Sequence, residues 1–180
     1  CNAAEAGITS SPLSEEDKIP LLGEARIMRA FYYYVLTSFF GDVPYYTVDV
    51  ATEEIQYEVA HLPRMSAVET REKIIAELLE ILPMMEQART SDVEGNRSGA
   101  AMGWMLVTKM AMWNKDYDTA LSAIARLEEI YGSLDQYPID DIMFRNKNTP
   151  ESIFEIQHTY TAGGVNYSSN VAAICMPYPK

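Results

Sequence analysis

Cysteine and histidine are scarce in this chain: Cys1, Cys175, His61 and His158 are the only ones in 180 residues. One possible Cys1–Cys175 bridge does not make a disulfide scaffold. The two histidines lie far apart, and no Cys/His cluster has the spacing of a structural zinc site. Basic residues are also few, 14 against 26 acidic ones, for a formal net charge of −12. Such a surface repels phosphate backbones and anionic lipid, which argues against nucleic-acid and polybasic membrane binding. Long apolar runs are missing too. Ile27 to Phe40 comes nearest and is broken by Arg29, Thr37 and Ser38. A spanning helix needs about 20 apolar residues, so this segment reads as a buried helix. The chain contains no P-loop, dinucleotide glycine fingerprint or nucleophile elbow. Its many carboxylates single out no glycosidase-like pair.

What is abundant is apolar and aromatic. Hydrophobic residues make up 48% of the chain, and 12 are tyrosines. A chain this long can bury roughly 70% of the surface it exposes unfolded. Tyrosine suits cores and wet interfaces alike.

The periodicities predict a mainly α fold. Ser14 with Glu15, Glu16 and Asp17 makes an acidic first turn, and Gly41 and Pro44 close the helix it opens. This helix is apolar on nearly every side, which implies that it is covered all round. A polar stretch from Thr47 to Arg64 reads as irregular. Ser66 and Glu69 form a capping-box pattern ahead of the stripe Ile75, Leu78, Leu79, Leu82 and Met85, and Pro83 ends or bends that helix. Thr90 to Ser98 reads as loop. Gly99–Trp113 and Tyr117–Tyr131 read as a helical hairpin turning at Asn114–Asp116 and capped by Gly132. Its facing stripes are Ala101, Trp104, Met105 and Met112 on one side. On the other they are Tyr117, Ala120, Leu121, Ile124 and Leu127. Trp104, Tyr117 and Ala120 fall at tetratricopeptide-like spacings, whereas Thr108 and Lys115 depart from that pattern. Ser152 to His158 alternates in the manner of a short strand, and a long loop follows.

Gly23 to Thr47, GEARIMRAFYYYVLTSFFGDVPYYT, is the most distinctive segment. Its Ala-Arg-x-x-Arg-Ala core, aromatic run and Phe-Gly-Asp-Val-Pro ending resemble the SusD/RagB family. SGAAMGWMLVTKMAMWNKDYDTA and SIFEIQ, downstream, resemble that family's helical repeat and following strand. The resemblance runs from about Cys1 to Gln157. It implies a single helical domain over 1–180 that is part of a longer protein. It also implies an outward-facing outer-membrane lipoprotein that binds an oligosaccharide or similar nutrient, without catalysis, for a TonB-dependent (SusC-like) transporter. A scaffold for protein–protein contacts is the alternative. Cys1 invites reading as a lipidated cysteine. Asn2 to Ala6 instead reads as a helix end capped near Gly7, so Cys1 is taken as the start of a fragment.

Glu24, Arg26, Arg29 and Asp42 read as structural, because charges on an otherwise buried helix need partners, which acid and base on neighbouring turns can supply. Tyr32, Tyr33 and Tyr34 are consecutive and cannot form one sugar-stacking platform. With Tyr45 and Tyr46 they read mostly as core. Asp135, Asp140 and Asp141 lack calcium-loop spacing and read as solvated acids. No metal or cofactor is called for. The candidate ligand contacts are Tyr160, Asn166 and Tyr167, with His158 and Asn170 beside them. Amides suit sugar hydroxyls and aromatic rings suit a sugar's apolar face. An ordinary surface loop is the competing reading.

Overall fold

A computed structural model describes residues 1–89, 92, 97–137 and 149–156. Among these residues the chain forms six α-helices and no strand. The first, α1, is Asn2–Ser10, and it runs straight through Gly7, which is not a cap. The longest, α2, is Glu15–Phe40. Ser14 opens it by accepting the Asp17 backbone N–H at 3.1 Å. Pro20 lies within the second turn, where its missing N–H forgoes a single intrahelical bond. Gly41, with φ 68°, ends it in a conformation that a side chain resists.

The stretch expected to be irregular contains α3, Glu53–Ala60, capped by Thr52. It has no buried residue, so no apolar stripe announces it. The fourth helix, α4, is Ala67–Ile81. Ser66 accepts from Glu69 N at 3.1 Å, as the capping pattern requires. Asp42 adds a second cap by accepting from Ala67 N at 2.9 Å. Pro83 falls in a 3-10 turn, Leu82–Met84, that closes the helix. Val43 and Met65 exchange both backbone hydrogen bonds, so the chain leaving α2 is tied to the chain entering α4.

The hairpin is α5, Ala100–Trp113, and α6, Tyr117–Tyr131. Asp116 caps α6 through Thr119 N, and Gly132, φ 73°, ends it. Between them Lys115 has φ 61°, the left-handed turn conformation that usually goes to glycine.

The core lies where α2, α4, α5 and α6 meet. Ile27, Ile74, Leu78, Leu82, Val107 and Met110 are fully buried in it. Both helices of the hairpin contribute, and Ala120, Ala123, Leu127 and Tyr131 line the inner face of α6. Several expected core positions instead face outward. Leu79, Met112, Tyr117 and Leu121 are exposed, because each sits a step off its helix's buried stripe. The expectation that α2 is covered all round also fails. Tyr32, Leu36, Phe39 and Phe40 are exposed along its C-terminal half, Phe39 by 80%. Residues 152–156 carry no ladder, since no strand lies beside them among the described residues.

Candidate functional site

The N-terminal charges form a lattice that spans helices. Arg29, 4% exposed, gives one guanidinium nitrogen to Glu5 and Asn2 of α1 and the other to Glu77 of α4 at 2.6 Å. Arg26 donates to the other Glu5 oxygen at 2.8 Å. The expected structural role holds, but the partners come from other helices and not from neighbouring turns of α2. Glu24 pairs with Arg97, in the segment ahead of α5.

Tyr33 and Tyr45 complete this interior. The Tyr33 ring is buried, its hydroxyl donates to the Tyr46 carbonyl at 3.3 Å, and it accepts the Tyr46 N–H at 3.0 Å. Tyr45 packs against Tyr33 with centroids 5.1 Å apart and ring planes inclined by 48°, and it donates its hydroxyl to Glu77. Burial pushes both phenols above their ordinary pKa, and for Tyr45 the Glu77 carboxylate pushes further. These two rings are structural.

The open face of the bundle is different. Phe31 and Tyr34 point from α2 towards Met105 and Lys109 of α5, and residues 149–156 form the third wall. The space enclosed is about 690 Å³, within the size range of small-molecule sites. The Phe31 and Phe154 ring centroids lie 6.4 Å apart, their planes inclined by 55°. The Lys109 ammonium lies 5.9 Å from the Tyr34 ring centroid. Tyr131 fixes the third wall by donating its hydroxyl to the Ser152 carbonyl at 3.0 Å. Aromatic faces on two sides, with an ammonium and the Glu151 carboxylate at the groove, offer stacking surfaces together with hydrogen-bond donors and acceptors.

Tyr160, Asn166 and Tyr167, the sequence candidates, lie outside the described residues. So do His158, Asn170, Asp140, Asp141 and Cys175. The described chain stops at Ile156 on the groove wall, four residues before Tyr160. Asp135 falls in a 3-10 turn, and no group of three potential metal ligands occurs among the described residues. His61 bonds the Tyr57 carbonyl through Nδ1 on the surface of α3. Phe31, Lys109 and Phe154 were not singled out by their sequence context. Phe154 sits in the alternating stretch, but nothing in sequence connects it with Phe31.

Residues 5–87 match the family model for SusD-like proteins described as starch-binding and associating with the outer membrane. No curated protein matches the chain. Among solved structures, a SusD-like carbohydrate-binding protein from Bacteroides fragilis is 25% identical with a TM-score of 0.61. That likeness covers 72% of this chain and 24% of the other. Surface glycan-binding protein A from Bacteroides fluxus is 24% identical with a TM-score of 0.72, over 96% of this chain and 38% of that one. Surface glycan-binding protein A from Bacteroides thetaiotaomicron, solved with laminarihexaose, is 23% identical with a TM-score of 0.68, over 88% and 32%. The last two are similarities of fold. The chain thus spans about a quarter to two fifths of the length of these structures.

Proposed function

We propose, from the match of residues 5–87 to the SusD-like family model and the likeness to SusD-like structures, that this chain is part of a SusD-like protein, and that it takes part in holding a glycan at the cell surface and does so without catalysis. The observation that carries this reading is the groove between α2, α5 and residues 149–156. A pyranose ring offers an apolar face to Phe31, Tyr34 or Phe154. Its hydroxyls can accept from Lys109 and donate to Glu151. Binding of this kind needs no activated nucleophile and no matched acid–base pair.

Tyr160, Asn166 and Tyr167 extend the same proposal. They follow closely on Phe154 in the sequence and carry the ring and amide groups that a sugar's apolar face and hydroxyls call for. The structural relatives include a laminarin-binding SusD-like protein and one solved with laminarihexaose, which makes a β-glucan the first ligand to try. Delivery to a TonB-dependent transporter, and an outward-facing, lipid-anchored position on the outer membrane, belong to the same proposal.

Calorimetric titration of the 180-residue chain with laminarihexaose, and in parallel with maltoheptaose and xylohexaose, tests it. The expected result is saturable binding to at least one of them, with the sugar recovered at its original length. Hydrolysis of the bound sugar would overturn the non-catalytic reading. Absence of heat with all three would overturn glycan binding by this part of the protein.

A further inference from the structure

The helix α1 is joined to the bundle in an unusual way. It buries none of its nine residues, whereas α2 buries eight and α5 ten. Only Asn2, Glu5 and Ile8 are half-covered, a single narrow stripe. Apart from Ile8, what attaches the helix is polar. The Glu5 carboxylate lies between two guanidinium groups, one oxygen on Arg26 and the other on Arg29. Asn2 donates to the carbonyls of Tyr46 and Val48 at 3.3 and 3.1 Å and accepts from Arg29. A short segment, Ser11 to Ser14, separates α1 from α2.

Neither arginine depends on α1 alone. Arg29 also pairs with Glu77 at 2.6 Å, and Arg26 has Glu80 at 4.0 Å. The apolar core is built from α2, α4, α5 and α6. The helix can therefore leave without opening that core, and it would uncover a cleft with two guanidinium groups and two backbone carbonyls.

The geometry points to α1 as a strap that docks and undocks as a unit, with Glu5 as the internal ligand of a two-arginine carboxylate site. A carboxylate between two guanidiniums is held by charge-assisted hydrogen bonds, the strong kind. Local opening of a weakly buried element while the rest stays folded is ordinary behaviour for such segments. Gly7 gives an independent handle. A Cβ built there meets nothing within 4 Å, so alanine at this position strengthens the helix without touching the contact surface.

Hydrogen exchange of the intact 180-residue chain, read peptide by peptide, tests this. In the wild type, residues 2–10 should exchange faster than α4 and α5. Glu5→Gln should speed exchange of 2–10 by about tenfold or more, leaving α4, α5 and α6 unchanged. Gly7→Ala should slow the same residues by roughly threefold to fivefold. If Glu5→Gln raised exchange equally through α4, α5 and α6, α1 would be part of the cooperative core and the strap would be overturned. If neither variant altered exchange of residues 2–10, Glu5 would not be what holds the helix, and the latch would be overturned.

Discussion

Tyr45 donates its hydroxyl to one oxygen of Glu77 while the other oxygen accepts Arg29. Through this one carboxylate, the chain just after α2 is tied to α4 and to the buried guanidinium of α2. Neither residue is fully buried, but Arg29 nearly is. The energetic weight therefore falls on Arg29. Replacing it with Met should leave Glu77 with Tyr45 alone and Glu5 with Arg26 alone. The expected loss is about 3–5 kcal/mol, the usual cost of removing one member of a buried ion pair. Urea unfolding followed by circular dichroism checks this, and a loss below about 1 kcal/mol would show that Arg26 and water replace it.

The Glu5 latch also sets a pH dependence. Burial alone would raise the Glu5 pKa, but the hydrogen bonds and charges of Arg29 and Arg26 hold it below the ordinary 4.5. A carboxylate with a lowered folded pKa contributes stability in full above its unfolded value. That contribution is lost as pH falls through the folded value. The stability gap between wild type and Glu5→Gln should thus be constant from pH 7 to about 5 and shrink below 4.5. Taking the difference removes the other carboxylates, which titrate in both proteins. A gap that stayed open down to pH 3 would mean that the two arginines act on Glu5 by geometry alone.

Two helical glycines should respond differently to alanine. A Cβ at Gly23 runs into the side chain of Met85, and one at Gly103 runs into Leu82. Met85 meets it with the sulfur and carbons of a flexible chain, which can swing aside. Leu82 is branched and 0% exposed, so it cannot. Gly23→Ala should be close to neutral, the gain in helix propensity offsetting the shift of Met85. Gly103→Ala should cost about 1–3 kcal/mol by overpacking the α4–α5 crossing. Thermal melts of the two variants side by side separate the cases.

Much of the frame can be read in the sequence because its signals are local. The Ser14 and Ser66 caps, Gly41 and Gly132 each act within one turn, and the helices they bound are where the pattern places them. The helix α3 escapes because Glu53, Glu54, Gln56 and Glu58 leave no apolar stripe, and the structure buries none of it. The alternation of Ile153, Phe154, Glu155 and Ile156 reads as a strand, but alternation makes a strand only beside a partner. The groove is harder still. Phe31, Lys109 and Phe154 meet only after α2 and α5 pack, and nothing in their local sequence foretells it. The ion pairs are legible in kind, as charges in need of partners. They are not legible in detail, since Glu5 and Glu77 come from helices 24 and 48 positions away from Arg29.

Lys115 occupies a turn position that sequence reasoning marks as a departure from glycine. Its φ of 61° carries a steric cost that glycine avoids. The neighbouring backbone bonds, Lys115 N to Met112 O and Asp116 N to Ala111 O, hold the turn in place. Lys115→Gly should keep them and raise stability by about 0.5–1 kcal/mol, after allowing for glycine's freedom in the unfolded chain. An increase in urea midpoint with an unchanged slope is the expected signature. A decrease would mean that the lysine stem packs against the hairpin enough to outweigh the backbone cost.

The position of the glycan site is the prediction with the most at stake. Two sets of aromatic residues compete: Phe31, Tyr34 and Phe154 in the groove, and Tyr160 with Tyr167 beyond Ile156. Stacking on an aromatic ring contributes through the area it covers, and truncating such a ring to alanine costs about 1–3 kcal/mol of affinity where it is a true contact. Phe154 is the best probe on the groove side. It is only partly buried and lies in the 149–156 wall, not in a core helix, so its loss should spare the fold. Phe154→Ala should weaken binding of the responding oligosaccharide about tenfold while the melting temperature moves little. Tyr160→Ala with Tyr167→Ala should weaken it as well if the ligand runs on past the groove. An effect from Phe154 alone would confine the site to α2, α5 and residues 149–156. An effect from the tyrosine pair alone would move it onto the following segment and leave the groove with no ligand role. Wild-type affinity in both variants would remove Phe154, Tyr160 and Tyr167 from the site and leave Phe31 and Tyr34 of α2 as the only proposed rings on which a sugar could still stack.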